Sequence, residues 1–343
     1  MGLLRVILAL AVVAAHTNPL LPFNIISGSM AVQTFYIISG FYMSLILQEK
    51  YLHSYRLFIT NRILRIYPLY LLVLVMTILV YGSFFRLPDV LLLQPLTQNI
   101  SCTHWLFSAF LIFSNVFILG QDLASWADIR LGRFFLIPQA WTLSLELMFY
   151  ALAPFFMRMK TTYLAGILIA SFSLRLILVS HGFDSDSWAY YFFPTELAFF
   201  LLGMFSYKIY ARISTRSIPT NFSVATFIFV IALTIFITVI RYIPIVKAVG
   251  YFLIVAAGIP FVFYLTKENK FDRWLGEFSY AIYISHILVR TVLADFLSIT
   301  GKEDPRFGWW VASGSFLLSF VLLHLVIYPI EKFRQQRLVQ HKL

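Results

Sequence analysis

Eleven apolar segments separated by short polar connections run through this chain and restrict it to one class of fold. Most are long enough to cross the hydrocarbon core of a bilayer as a helix. The 343 residues are 60% hydrophobic and 12% charged, and a soluble chain of this length cannot bury so much apolar surface. The sequence therefore predicts an all-α, polytopic membrane helix bundle. The segments lie at about 3–20, 31–48, 63–81, 105–119, 139–157, 162–180, 191–210, 222–240, 246–265, 278–298 and 310–330.

The basic residues stand beside these segments and indicate an orientation. Lys and Arg cluster in 49–65 and in the C-terminal tail, which places both stretches in the cytoplasm. All such assignments agree only if one segment does not cross, and 105–119 is short and interrupted by polar residues. We expect about ten transmembrane helices plus one re-entrant or peripheral apolar segment, with both termini cytoplasmic. Because the excess basic residues flank spans, the net charge of +11 does not indicate nucleic-acid binding.

Other features of the composition exclude several chemistries. The single cysteine, Cys102, rules out an internal disulfide framework and a Cys-rich metal site. The seven histidines lack the spacing of metal ligands, so we predict no metal. No small-residue cleavage site follows the first apolar segment, which we interpret as a retained span and not as a signal peptide.

Two polar side chains interrupt the first segment. Arg5 and His16 are eleven residues apart, which is about three helical turns, so they lie on one stripe and are separated by ~16 Å along the axis. Arginine and histidine within a membrane helix usually face a partner or a wet cavity. We therefore expect the other segments to enclose a cavity beside this stripe.

A pair of arginines begins the third segment. Arg62 and Arg65 are three residues apart and share one helix face at the cytoplasmic end. Two guanidinium groups on one face suit the oxygens of a phosphate. Ordinary basic flanking of a span explains the same spacing, so the sequence leaves both interpretations open.

Two further segments carry buried carboxylates. Glu146 lies about two turns from the outer surface, at a depth comparable with His16, and we expect it to pair with that imidazole and fix its tautomer. Arg175 and Glu196 lie at equal depth on the next two segments, and we expect them to form an ion pair.

Smaller polar residues mark packing faces and one possible cavity wall. Ser39 and Gly40 allow a neighbouring helix to approach closely. Ser279, Tyr283 and His286 lie near one face of their segment and form a possible wall, although a lone histidine there is often a hydrogen-bonded packing residue.

Five short patterns occur together and in a fixed order, and together they resemble the acyltransferase 3 family of integral membrane acyltransferases. The resemblance extends from Arg5 to about Glu331. The patterns are Arg5-x10-His16, Ser39-Gly40-Phe41, Arg62-x2-Arg65-x2-Pro68, Trp141-x-Leu143-x2-Glu146-x2-Phe149-Tyr150 and Ser279-Tyr280-x2-Tyr283-x2-His286.

The resemblance implies transfer of a short acyl group, most simply acetyl, from acyl-CoA to a hydroxyl of a surface glycan or its lipid-linked precursor. It implies that His16 is the essential histidine, that Arg5 is its paired basic residue, and that Arg62 and Arg65 bind acyl-CoA. Acyl-CoA is then a donor substrate, and no cofactor is permanently bound. It also implies a single domain over 1–335 with a basic cytoplasmic tail at 336–343, in a bacterial inner membrane. Many members have two adjacent acids where this chain has Glu146 alone.

The mechanism that we expect uses His16 as general base, oriented by Glu146. Tyr283 or His286 is the candidate for stabilising the oxyanion, with Ser279 and Trp141 as further substrate contacts. Ser144 and Cys102 are candidates for a covalent acyl-enzyme, but neither has a base beside it in the sequence, so we favour direct transfer. A transporter or flippase of a lipid-linked sugar is the alternative function.

Overall fold

The computed structural model describes residues 1–51, 54–84, 102–127, 129–183, 185–215, 218–241, 243–297 and 304–340. All regular structure within these ranges is helical, with no strand, as the sequence predicts. The helices are α1 (Gly2–Ala15), α2 (Gly28–Lys50), α3 (Tyr55–Phe84), α4 (Cys102–Phe117), α5 (Gln121–Ala127), α6 (Trp141–Arg158), α7 (Thr161–Ser180), α8 (Phe193–Ile213), α9 (Thr220–Phe236), α10 (Pro244–Thr266), α11 (Lys270–Leu297), α12 (Phe307–Leu322) and α13 (Tyr328–Gln340).

Helices α2 and α8 form the centre of the bundle and are its most extensive helix pair. Their backbones meet at two glycines: a methyl group added at Gly40 of α2 would overlap the carbonyl of Phe200, and one added at Gly203 of α8 would overlap the carbonyl of Ile37. The close approach that Ser39 and Gly40 predict is therefore confirmed. Around this pair, α1 packs on α2, α11 and α12, while α6 and α10 each pack on α2.

We expect Gly40→Ala to destabilise the protein, because the added methyl group meets backbone and not a movable side chain. Overpacking of this kind costs about 1–3 kcal/mol. The measurement is the temperature of unfolding in detergent. Gly166→Ala in α7 is the matched control, since its new methyl group would meet no atom within 4 Å and alanine favours the helix. Equal unfolding temperatures for the two variants would contradict this account of the α2–α8 contact.

Within the part of the chain that the structure describes, six helical stretches are long and apolar enough to cross a membrane. Large apolar side chains such as Leu79, Ile169 and Leu317 point outward, as they do in a protein surrounded by lipid. The count of ten spans and the cytoplasmic location of the termini stay predictions. The six stretches are Gly28–Lys50, Tyr55–Gly82, Pro138–Arg158, Thr161–Ser180, Pro244–Thr266 and Phe307–Leu338.

The segment predicted not to cross, 105–119, forms most of α4. This helix exposes apolar side chains such as Ile112 and ends in a sharp turn at Ile118, whose φ is +66°. Gly120 follows at φ +88°, and α5 begins directly after it. The chain thus turns back sharply at this point, which is compatible with a re-entrant segment.

One helix boundary differs from the expected one, and one predicted domain boundary falls inside a helix. The first span was predicted over 3–20, but α1 ends at Ala15 with His16 as its C-cap. Asn18 precedes Pro19, and a residue before proline is disfavoured in helical conformation. At the other end of the chain, α13 continues to Gln340, so the predicted boundary at 335 falls within a helix. Arg337 of that helix donates hydrogen bonds to Asn61 and Thr60 of α3.

Candidate functional site

One cavity of about 640 Å³ runs into the bundle between α1, α2, α3, α6, α10, α11 and α13. Its wall on α2 extends from Lys50 to Val32, which is ~27 Å along the helix. Lys267 and Arg273 lie with Lys50 at one end, which we call the basic mouth. The opposite end, which we call the inner end, is lined by Phe35, Tyr36, Thr142, Leu143 and Tyr283.

Five arginines line this cavity, and three of them are Arg5 from α1 and Arg62 and Arg65 from α3. The sequence singled out these three, and the structure brings them together. Arg62 is buried and its Nε has no hydrogen-bond partner in the described ranges, while Arg65 and Arg334 act on it as neighbouring positive charges. Among the described residues none of the three forms an ion pair, whereas Arg334 is paired with Glu331 at 2.5 Å. Glu277 and Glu146 act on Arg5 and Arg65 as negative charges from a greater distance. Guanidinium groups that line a cavity without a direct ion pair keep hydrogen-bond donors for a polyanionic ligand.

Glu146 lies in the same cavity and not beside His16. Its Oε1 accepts hydrogen bonds from Ser39 at 2.7 Å and from the Tyr150 hydroxyl at 2.5 Å. The predicted pairing of Glu146 with His16 is therefore wrong. Equal depth does not make two side chains face each other. Glu146 on α6 points to Ser39 of α2, whereas His16 on α1 lies against His286 of α11.

His286 is the actual neighbour of His16. His286 Nε2 lies 3.3 Å from His16 Nδ1, and the two ring centroids are 5.0 Å apart. His16 is exposed at the end of α1, whereas His286 on α11 is completely buried. The row Ser279–Tyr283–His286 thus supplies a contact to the first helix, which the sequence did not predict.

The hydrogen bonds of the two rings define which nitrogen carries the proton. His16 Nδ1 lies 2.9 Å from the Val12 carbonyl, and His286 Nδ1 lies 2.6 Å from the Tyr283 carbonyl. Because a carbonyl only accepts, both Nδ1 atoms carry hydrogen in the neutral rings. His286 Nε2 then accepts from His16 Nδ1, whose one hydrogen is shared between this nitrogen and the Val12 carbonyl. His16 Nε2 is left with a free lone pair, which is what a general base needs.

A compact polar cluster closes the inner end of the cavity. The Tyr283 hydroxyl lies 2.7 Å from Thr142 Oγ1 and donates to the Gln139 carbonyl at 3.0 Å. Thr142 donates to the same carbonyl at 3.0 Å, and Gln139 Nε2 donates to the carbonyl of Ile284. Tyr283 borders the cavity, and its ring centroid lies 6.0 Å from that of His286. The cavity therefore ends one aromatic ring away from the histidine pair.

The other predicted contacts have different outcomes. Ser279 lines the cavity, but its hydroxyl donates to the Gly276 carbonyl at 2.8 Å. Trp141 packs against the rings of Tyr190 and Tyr191 at 4.7 and 4.3 Å and is not part of the cavity wall.

The predicted ion pair of Arg175 and Glu196 is confirmed at 2.6 Å, and Gln33 donates to the same carboxylate oxygen at 2.8 Å. The candidate nucleophile Ser144 is buried and donates to Asp122 at 2.6 Å. The side chain of Cys102 lies outside the described residues.

The sequence missed the polar cluster and one other residue of the cavity wall. Tyr36 has a buried hydroxyl to which no described residue is hydrogen-bonded, yet a tyrosine in an apolar run is normally interpreted as packing. Thr142 and Gln139 are polar residues next to the recognised Trp141, and that is the only signal by which they could have been found.

Comparison with known proteins identifies the family. The model of a family described as "Acyltransferase domain", the acyltransferase 3 family, matches residues 1–328. The chain belongs to the acyltransferase 3 family. A protein from Aquifex aeolicus (strain VF5) of uncharacterised function is 28% identical over 205 residues, which is 58% of this chain and 89% of that protein. No solved structure matches.

Family membership accounts for the apolar bundle as that of a membrane-bound acyltransferase. Acyl transfer needs a binding site for the acyl donor and a base for the acceptor. The arginine-lined cavity and the histidine pair are the candidates for these two roles.

Proposed function

We propose that this acyltransferase 3 protein moves a short acyl group, most simply acetyl, from cytoplasmic acyl-CoA to a hydroxyl of a cell-surface glycan or its lipid-linked precursor. The observation that carries the proposal is the 640 Å³ cavity, which has Arg5, Arg62 and Arg65 along its wall without an ion pair among the described residues and an inner end beside the His16–His286 pair. The location is a cell membrane, and by family resemblance the bacterial inner membrane.

The basic mouth supports acyl-CoA as the donor. CoA combines several phosphates with a long flexible arm that ends in the thioester. Arg62, Arg65 and Arg5 would hold the phosphates through charge-assisted hydrogen bonds. The arm would extend toward Tyr283, and the ~27 Å length of the cavity along α2 accommodates an extended chain of this kind.

The exposed face of His16 supports an acceptor that arrives from the opposite side. In the proposed reaction His16 Nε2 takes the proton of the acceptor hydroxyl, and the hydroxyl oxygen bonds to the thioester carbon. The carbon–sulfur bond then breaks, and the proton passes from His16 to the departing thiolate. A positioned general base of this kind contributes about 10²–10⁴-fold to the rate.

The test is release of free thiol from acetyl-CoA by the purified protein in nanodiscs, with a mixture of glycan and lipid-linked sugar acceptors. We expect release that depends on the acceptor. Release without acceptor, with label retained on the protein, would contradict direct transfer and indicate a covalent intermediate. Absence of release from any short acyl-CoA by folded protein would contradict the proposal.

His286→Phe tests the partner of the base. The substitution keeps an aromatic ring in a fully buried position but removes the ring nitrogen that shares the His16 Nδ1 hydrogen with the Val12 carbonyl. We expect kcat to fall about 10- to 100-fold, as when partners that orient other functional imidazoles are removed. The KM for acetyl-CoA should stay unchanged, because His286 does not border the cavity. A raised KM at unchanged kcat would exclude this positioning role.

A further inference from the structure

The proposed reaction needs a hydrogen-bond donor for the thioester oxyanion. Attack on a thioester places negative charge on its carbonyl oxygen, and enzymes meet this charge with hydrogen-bond donors fixed in advance. The residues for which the sequence suggested this role already use their donors. Tyr283 is bonded within the polar cluster, His286 Nδ1 to a carbonyl, and Ser279 to Gly276.

Tyr36 is the donor at the inner end that is still unpartnered. Its side chain is 3% exposed, it borders the cavity, and its hydroxyl has no hydrogen-bond partner among the described residues. A buried polar group without a partner costs about 1–3 kcal/mol. Such a group in a cavity wall is therefore poised to bind a polar atom of a ligand.

The position of this hydroxyl is fixed by packing. The Tyr36 ring stacks on Phe200 of α8, with centroids 4.4 Å apart and planes 25° apart. That contact lies in the α2–α8 pair, where the backbones are held together at Gly40 and Gly203. A donor held by the most extensively packed helices needs little reorganisation when charge develops beside it.

Ring contacts connect the inner end of the cavity, where Phe35 and Tyr36 both lie, with the histidine pair. Its neighbour in sequence, Phe35, has its ring centroid 6.3 Å from that of Tyr283. Tyr283 is in turn 6.0 Å from His286, which is 5.0 Å from His16. A thioester at the inner end of the cavity would thus have Tyr36 on the α2 side and the histidine pair beyond Tyr283.

We propose that Tyr36 is a catalytic residue whose hydroxyl donates a hydrogen bond to the thioester carbonyl oxygen of the acyl donor and stabilises the oxyanion formed from it. The inference rests on the proposed function. As the acceptor oxygen bonds to the thioester carbon and its proton moves to His16, the carbonyl electrons move onto the oxygen held by Tyr36. When these electrons re-form the carbonyl double bond, the carbon–sulfur bond breaks and the thiolate takes the proton from His16.

The test compares wild type, Tyr36→Phe and Tyr207→Phe in the thiol-release assay with acetyl-CoA. Tyr36→Phe keeps the ring on Phe200 and removes only the hydroxyl. We expect kcat to fall about 10²–10³-fold, as for removal of one oxyanion donor, with KM for acetyl-CoA changed less than about twofold. Tyr207→Phe is the matched control, since this buried tyrosine of α8 packs on Phe41 and does not border the cavity. A kcat within about twofold of wild type, or an equal loss in the control, would overturn the proposal.

A second measurement does not need turnover. The infrared band of [1-¹³C]acetyl-CoA bound to the protein should lie at lower frequency in wild type than in Tyr36→Phe, because a hydrogen bond weakens the carbonyl bond. Equal frequencies would overturn the proposed contact even if the activity changed. If wild type turns over but the two proteins have equal frequencies and equal kcat, only the role of Tyr36 is excluded. If wild type does not turn over, the proposed function itself is contradicted.

Discussion

His16→Ala should reduce acceptor-dependent thiol release from acetyl-CoA by about 10²–10⁴-fold, because it removes the imidazole whose Nε2 is free to accept a proton. The KM for acetyl-CoA should change little, since His16 is not part of the cavity wall. The measurement is steady-state release with purified protein. Because His16 is exposed at a helix end, the truncation leaves no void in the core.

The chain contains a close structural match that serves as the control for this experiment. His181 is also an exposed C-cap, at the end of α7, and its Nδ1 lies 2.9 Å from the Ile177 carbonyl one turn earlier. His181→Ala therefore removes the same kind of helix-end hydrogen bond without touching the cavity or His286. Its activity should equal that of wild type. A similar loss in both variants would mean that the C-cap contact, and not proton transfer, explains the effect of His16.

Arg65→Gln should raise the KM for acetyl-CoA about 10- to 100-fold and leave kcat nearly unchanged. Hydrogen bonds to a charged partner contribute about 1.5–3 kcal/mol, and each 1.4 kcal/mol is a factor of ten in affinity. Contacts to distant phosphates are made equally in the ground and transition states, so their loss appears in KM. Kinetics at varied acetyl-CoA concentration measure the effect, which should be smaller at high salt.

Arg158→Gln distinguishes this role from basic flanking of a span, the interpretation that the sequence left open. Arg158 is exposed at the end of α6 and does not border the cavity. Flanking alone predicts that both substitutions are equally harmless. Unfolding temperature gives an independent readout: CoA should stabilise wild type and Arg158→Gln but not Arg65→Gln, because only a bound ligand shifts the folding equilibrium. Equal stabilisation of all three would contradict a CoA contact at Arg65.

The sequence predicted those parts of the site that depend on a single helix or on adjacent helices. Helical periodicity places Arg62 and Arg65 on one face whatever surrounds them. The Arg175–Glu196 pair was predicted from equal depth, and it holds because α7 and α8 are consecutive helices that pack together.

The same depth argument failed for Glu146 and His16, because α1 and α6 are distant in the chain and depth does not say which helices are neighbours. The His16–His286 contact depends on the packing of α1 against α11, some 270 residues apart, which no local pattern records. Tyr36 was missed for a different reason. Its functional signal is an unpartnered hydroxyl, and that property exists only after the surrounding chain has folded.

The polar cluster at the inner end has a consequence for the cell as well as for the reaction. If an open passage ran from the basic mouth to the exposed His16, protons and small ions would cross the bilayer through it. Their flow would dissipate the membrane potential. The hydrogen bonds among Tyr283, Thr142 and Gln139 lie between the cavity and the histidine pair, and in the proposed topology they would close such a passage. In the proposed reaction the thioester and the acceptor hydroxyl meet at this cluster, while the bulky carrier stays on the side where it is made and recharged.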